Sequence, residues 1–206
     1  MTVTYYDAER GLVRELRTER VSVPFGQGLG PSLYFRRGGR VLDVPSGGSV
    51  EGVHCSMQLE ITYDALLIRV ELENRTERDF APEALGLRLG LDLDNGFSPT
   101  LLRAEKTHFW GCFVSPLGAA LAVSCREPIA AWELACDTAD RERKTYTGNL
   151  LFLTSASLAE EREGFSRLGA GKRLVRTVRL TPLKGLEELP ALLRSEGCPE
   201  ILCDTL

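Results

Sequence analysis

A chain of 206 residues, 43% of them apolar, can bury one substantial core, because a domain of this size hides roughly 70% of its unfolded surface. Its 25 Lys and Arg against 29 Asp and Glu leave a formal charge of −4, too small and too evenly mixed to draw in a phosphate backbone, which argues against a nucleic-acid partner. No window approaches the roughly 20 apolar residues of a membrane-spanning helix, and the opening MTVTYYDAERGLVRELRTER lacks the basic-then-apolar order of a secretory signal. The expectation is one soluble, cytoplasmic domain over residues 1–206, with strands to about residue 183 and a helix and tail over 184–206.

In chain order, short strands are expected at Val21–Val23, Ser32–Arg36 and Arg40–Val44, with Gly38-Gly39 as a hairpin turn. The glycines of Gly26-Gln27-Gly28-Leu29-Gly30 mimic a phosphate-binding loop, but Pro31 closes the segment and no helix follows to supply an N-terminus. From Val53 to Tyr63, Cys55, Met57, Leu59 and Ile61 alternate with Ser56, Gln58, Glu60 and Thr62. In LLIRVELENRT, Leu66, Ile68, Val70 and Leu72 alternate with Leu67, Arg69, Glu71 and Glu73. Period-two alternation across a short turn predicts a hairpin. Asn74-Arg75-Thr76 has the form of a glycosylation sequon and reads as a strand-end turn.

Leu85, Leu87, Leu89, Leu91 and Leu93 share one face of LGLRLGLDL, a half-buried strand. The following Asp92-Leu-Asp94-Asn95-Gly96 resembles the start of a calcium loop. It lacks the later bidentate Glu, so it reads as a strand end and an Asn-Gly turn, and DNGFSPTLLRAEK as a loop. THFWGCFVS, AALAVSC and IAAWELAC then form a meander, punctuated by Pro116-Leu117-Gly118 and Arg126-Glu127-Pro128. In its first strand His108, Trp110, Cys112 and Val114 oppose Phe109 and Phe113, so both faces need cover. Further strands are expected at Asn149–Thr154 and Lys172–Leu180. Gly185–Glu196 alone looks helical, with Pro190 as a kink or in the first turn. The fold class is all-β: a large antiparallel β-sandwich with a short C-terminal helix.

Six cysteines at long, irregular spacings include no CxxC pair, so they read as reduced and structural, and neither metal nor cofactor is expected. Aromatic, basic and acidic side chains crowd together between Glu105 and Leu134. Trp110 and Trp132 could stack on the apolar face of a sugar while Glu105, Lys106 and His108 supply hydrogen bonds. A mutarotase-type site would instead need histidines to polarise a ring oxygen and a carboxylate base, a set that His54, His108 and Glu105 or Glu133 could supply.

The phrases RDFAPEALGLRLGLDLD, LLRAEKTHFWGCFVSPLGAALAVSCREPIAAWEL and GNLLFLTSASLAEE, with GFSRLGAGKRLVRTVRLTPL after them, resemble the amino-terminal β-sandwich domain of bacterial six-hairpin glycosidase-like proteins over about residues 50–183. That resemblance implies a supersandwich akin to the galactose mutarotase-like fold, one that precedes an (α/α)6 toroid carrying the catalytic carboxylates. Residues 184–206 have room for one helix and no toroid. The expected function is a non-catalytic module of carbohydrate processing, which binds glycan or packs against such a catalytic domain. The alternatives are a stand-alone sugar-active enzyme of mutarotase or epimerase type, and an oligomerisation domain that pairs with its own copy.

Overall fold

The computed structural model describes residues 1–9, 11–93, 98–104, 108–115, 118–137, 145–155 and 164–197. Its strands are β1 (Thr2–Asp7), β2 (Leu12–Arg17), β3 (Ser22–Arg37), β4 (Arg40–Val44), β5 (Ser49–Val50), β6 (Val53–Ile61) and β7 (Leu66–Asn74). They continue with β8 (Ala84–Leu93), β9 (Ser98–Ala104), β10 (Phe109–Val114), β11 (Ala120–Cys125), β12 (Ala131–Asp137), β13 (Thr145–Thr154) and β14 (Arg173–Leu183). A turn of 3-10 helix at Leu186–Glu188 leads into α1 (Leu189–Ser195), whose Pro190 sits in the first turn, where a missing N–H costs no bond.

The strands form two seven-stranded antiparallel sheets. The first runs β1-β2-β3-β8-β13-β12 with β4 beside the second half of β3, and the second runs β5-β6-β7-β14-β11-β10-β9. The chain crosses between them repeatedly, so that β8 closes the middle of one sheet and β14 the middle of the other. Alternation decides what lies between the sheets. Leu85, Leu87, Leu89 and Leu91 of β8 face Leu66, Ile68, Val70 and Leu72 of β7 across a core that also takes Phe25, Phe109, Phe113 and Phe152. The β6 alternation holds at one end only: Val53 and Cys55 are fully buried, whereas Ile61 is 47% exposed.

Five elements differ from the sequence expectation. The polar-rich N-terminus forms β1 and β2 at the sheet edge, where a register shift between Val13 and Glu15 lets both Val13 and Leu16 reach the core. The two short strands expected around residues 21–36 are one 16-residue strand that carries the glycine-rich segment through a register shift between Phe25 and Leu29. The segment expected as a loop after Leu93 contains β9, and β13 begins at Thr145. The Asn95-Gly96 turn lies outside the described residues.

Asn74 is a structural staple. Its side-chain amide donates to the carbonyls of Arg78 (2.8 Å), Leu168 (2.9 Å) and Gly169 (3.1 Å), while its Oδ1 accepts from the Thr76 N–H and hydroxyl. It is 1% exposed, so the sequon is a strand-end turn. Cys55, Cys112 and Cys125 are free and buried. No helix among the described residues is long and apolar enough to cross a membrane.

Candidate functional site

The outer face of the first sheet, away from the core, carries a polar row that spans four adjacent strands. Glu133 of β12 is the direct partner of Asn149 on β13, Asn149 of Arg88 on β8, and Arg88 of Ser32 on β3. Successive positions in such a row lie roughly 4.8 Å apart. The side chains are joined: Arg88 Nε donates to Asn149 Oδ1 at 3.2 Å, Asn149 Nδ2 to Glu133 Oε2 at 3.4 Å, and Arg88 Nη1 to Asp43 of β4 at 3.4 Å. Arg36 Nη2 donates to Glu133 Oε1 at 3.2 Å. Burial works to lower the Arg36 pKa, but the charges and hydrogen bonds of Glu133 and Tyr34 outweigh it and raise it.

The flanking rows differ in bulk. On one side Leu151, Gly86 and Tyr34 are successive partners, and on the other the small residues Thr147, Gly90 and Gly30. Gly86 admits no side chain, since a Cβ would lie 1.9 Å from the Leu150 carbonyl oxygen. The row of Thr147, Gly90 and Gly30 therefore leaves a shallow trough along one side of the polar row. Tyr34 anchors it: the ring is 3% exposed, the Arg88 guanidinium lies 4.5 Å from its centroid and Arg36 Nη1 donates to its hydroxyl. Such a surface offers fixed donors and acceptors along one line.

Among the residues expected at the site, Glu105 and Lys106 lie outside the described residues. Trp110 and Trp132 do not form one platform. Trp110 is 3% exposed and packs on the outer face of the second sheet beneath α1, against Leu183, Leu189, Leu192 and Leu193. Trp132 turns the other way, toward the core, with its ring 5.0 Å from that of Phe109. The two strand faces of β10 are both covered, as its two opposed sets of aromatics require.

The two histidines stay apart. His54 on β6 and His108 beside β10 are separated by β7, β14 and β11, four strand spacings or roughly 19 Å across the sheet. His108 instead meets Glu196, just past α1, at 3.3 Å. Of the carboxylates named with it, Glu133 joins the trough on the other sheet.

The trough residues Ser32, Tyr34, Arg36, Asp43, Arg88 and Asn149 escaped the sequence reading. A signal existed in LGLRLGLDL, where the outward phase holds an arginine between two glycines. Which residues stand beside it depends on the register of three strand pairs.

No family model matches the chain, and no curated protein matches it in sequence. Among solved structures it is similar to a polysaccharide lyase at 11% identity and a TM-score of 0.55, over 94% of this chain. It spans about a third (32%) of the lyase's length. It also matches a candidate aldose 1-epimerase from Escherichia coli K12 at 11% identity and a TM-score of 0.48, over 85% of this chain and 93% of the other. The likeness to the lyase is one of fold: a β-sandwich of a kind that occurs in a carbohydrate-active protein.

Proposed function

We propose that the protein is a non-catalytic β-sandwich module of carbohydrate processing, and that it binds neutral glycan along the trough of the first sheet. The observation that supports this is the Glu133–Asn149–Arg88–Ser32 row with glycines beside it. Carboxylate, amide and guanidinium groups are the planar, bidentate partners that vicinal hydroxyls suit. A row spacing of roughly 4.8 Å is close to the advance of one pyranose along an extended chain. The four trough charges (Arg36 and Arg88 against Asp43 and Glu133) balance, which fits an uncharged polymer. The resemblance to the amino-terminal sandwich of six-hairpin glycosidase-like proteins and the lyase-like fold support the same setting, in which catalysis belongs to another domain.

Calorimetric titration with neutral oligosaccharides tests this. Wild-type protein should release heat with at least one glycan, and Arg88→Ala and Asn149→Ala should weaken binding by roughly tenfold to a hundredfold, the worth of a charge-assisted hydrogen bond. Absence of binding across the panel sinks the glycan reading. A stable dimer or a complex with a toroid domain in sedimentation would then favour a scaffold.

A further inference from the structure

The outer face of the second sheet holds a separate cavity of about 230 Å³ where the end of α1 meets β7, β14 and β11. Its floor follows the strand register, since Leu67, Arg179 and Ser124 are successive cross-strand partners. Thr177, Glu127, Arg126, Ser195 and Glu196 complete the walls. At the buried end the Glu196 carboxylate is 5% exposed. Its Oε1 accepts from the Ser124 hydroxyl at 2.9 Å and faces Arg179 Nε at 3.4 Å. Its Oε2 lies 3.3 Å from His108 Nε2, yet the two are misaligned and neither atom has a hydrogen-bond partner.

Glu196 Oε2 and His108 Nε2 are sealed against each other, so a ligand in the cavity meets this carboxylate on its Oε1 side. At the open end the exposed Arg126 makes no ion pair or hydrogen bond among the described residues. The cavity therefore joins an uncommitted cation at its mouth to a buried carboxylate in its wall, with three hydroxyls (Ser124, Thr177, Ser195) between them.

We propose that this cavity binds a compact carboxylate whose far end carries hydrogen-bond donors, a sugar acid or an amino acid. Its carboxylate pairs with Arg126, and its hydroxyl or ammonium donors turn toward Glu196. A neutral hexose would leave Arg126 unused. A simple inorganic anion would meet Glu127 and Glu196, and an apolar ligand would find only Leu67. The site shares no residue with the trough, so it stands or falls apart from the glycan reading.

The test is calorimetry and thermal shift with glucuronate and serine, using glucose, acetate and inorganic phosphate as comparisons, on wild-type, Arg126→Ala, Glu196→Gln and Arg88→Ala proteins. Glucuronate or serine should bind where the three comparisons do not, and whichever binds names the source of the carboxylate. Arg126→Ala, a surface change that leaves the fold intact, should weaken that binding by roughly tenfold. Glu196→Gln should weaken it as well, and Arg88→Ala should leave it unchanged. The proposal is overturned if neither ligand binds at millimolar concentration, if acetate binds as well as they do, or if Arg126→Ala has no effect. Loss of glucuronate binding in Arg88→Ala alone would also overturn it and place that ligand in the trough.

Discussion

The indole of Trp132 occupies the space that a side chain at position 148 would fill: a Cβ on Gly148 would lie 2.4 Å from Trp132 Cη2. The two stand on neighbouring strands, β12 and β13, and the contact lets Trp132 reach Phe109 on the opposite sheet. This contact is one of those that join the two sheets at the edge of the core.

Gly148→Ala should therefore force the indole off Phe109 and destabilise the protein by ~1–3 kcal/mol, the usual cost of overpacking. Urea denaturation measures it. Trp132→Phe together with Gly148→Ala should recover part of the loss, and an additive double variant would show that the two residues do not share this space.

Asn74 offers a different test. Replacing it with Ala removes three hydrogen bonds, to the carbonyls of Arg78, Leu168 and Gly169, which keep the Thr76 hydroxyl, the Phe80 N–H and the Lys172 N–H as donors, so each lost bond costs ~0.5–1.5 kcal/mol. Asn74→Ala should lower the denaturation midpoint by more than Thr76→Ala does. Expressed through a eukaryotic secretory route, folded wild-type protein should carry no glycan at Asn74, because its amide is committed; mass spectrometry of the peptide decides this.

Trp110 reports on α1. In a Trp132→Phe background it is the one remaining tryptophan, covered by Leu189, Leu192 and Leu193. Leu193→Ala should cost ~2 kcal/mol or more by leaving a cavity in this small cluster and shift Trp110 emission to the red. Unchanged emission would mean that the helix does not seal the indole.

The thiols predict a response to alkali. Burial pushes Cys55 up to about 11 and Cys112 up to about 12 from a reference of 9.0, and burial raises Cys125 as well. For an acid whose folded pKa is raised, the stabilising contribution is complete below pH 9 and is lost as pH climbs through the folded values. Stability should fall between about pH 9 and 12, and it should fall less in a variant with all three replaced by Val or Ala. At pH 8 these thiols should resist alkylation in the native protein and react once it is unfolded, as peptide mapping would show.

Much of the sandwich is legible in local pattern. The leucines of β8 and the Leu66–Leu72 alternation of β7 name their buried faces outright, because a half-buried strand has a period of two and nothing else in the chain imitates it. The opposed aromatics of β10 likewise announce a strand covered twice. At the sheet edges the pattern fades: LVRELR of β2 has helix-like spacing, and its strand state comes from pairing with β1 and β3.

The sequence by itself determined which residues seek burial, since that follows from side-chain chemistry and period. Only the tertiary structure decided which polar residues meet. Glu133, Asn149, Arg88 and Ser32 form one row because three strand pairs share one register, and a slip of one residue would turn each side chain to the other face. Glu196 reaches His108 from 88 positions away because α1 needs an apolar bed and finds it on Trp110, Ala120 and Leu183. Long-range pairing of this kind arises from packing a whole core, and no local stretch of the chain encodes it.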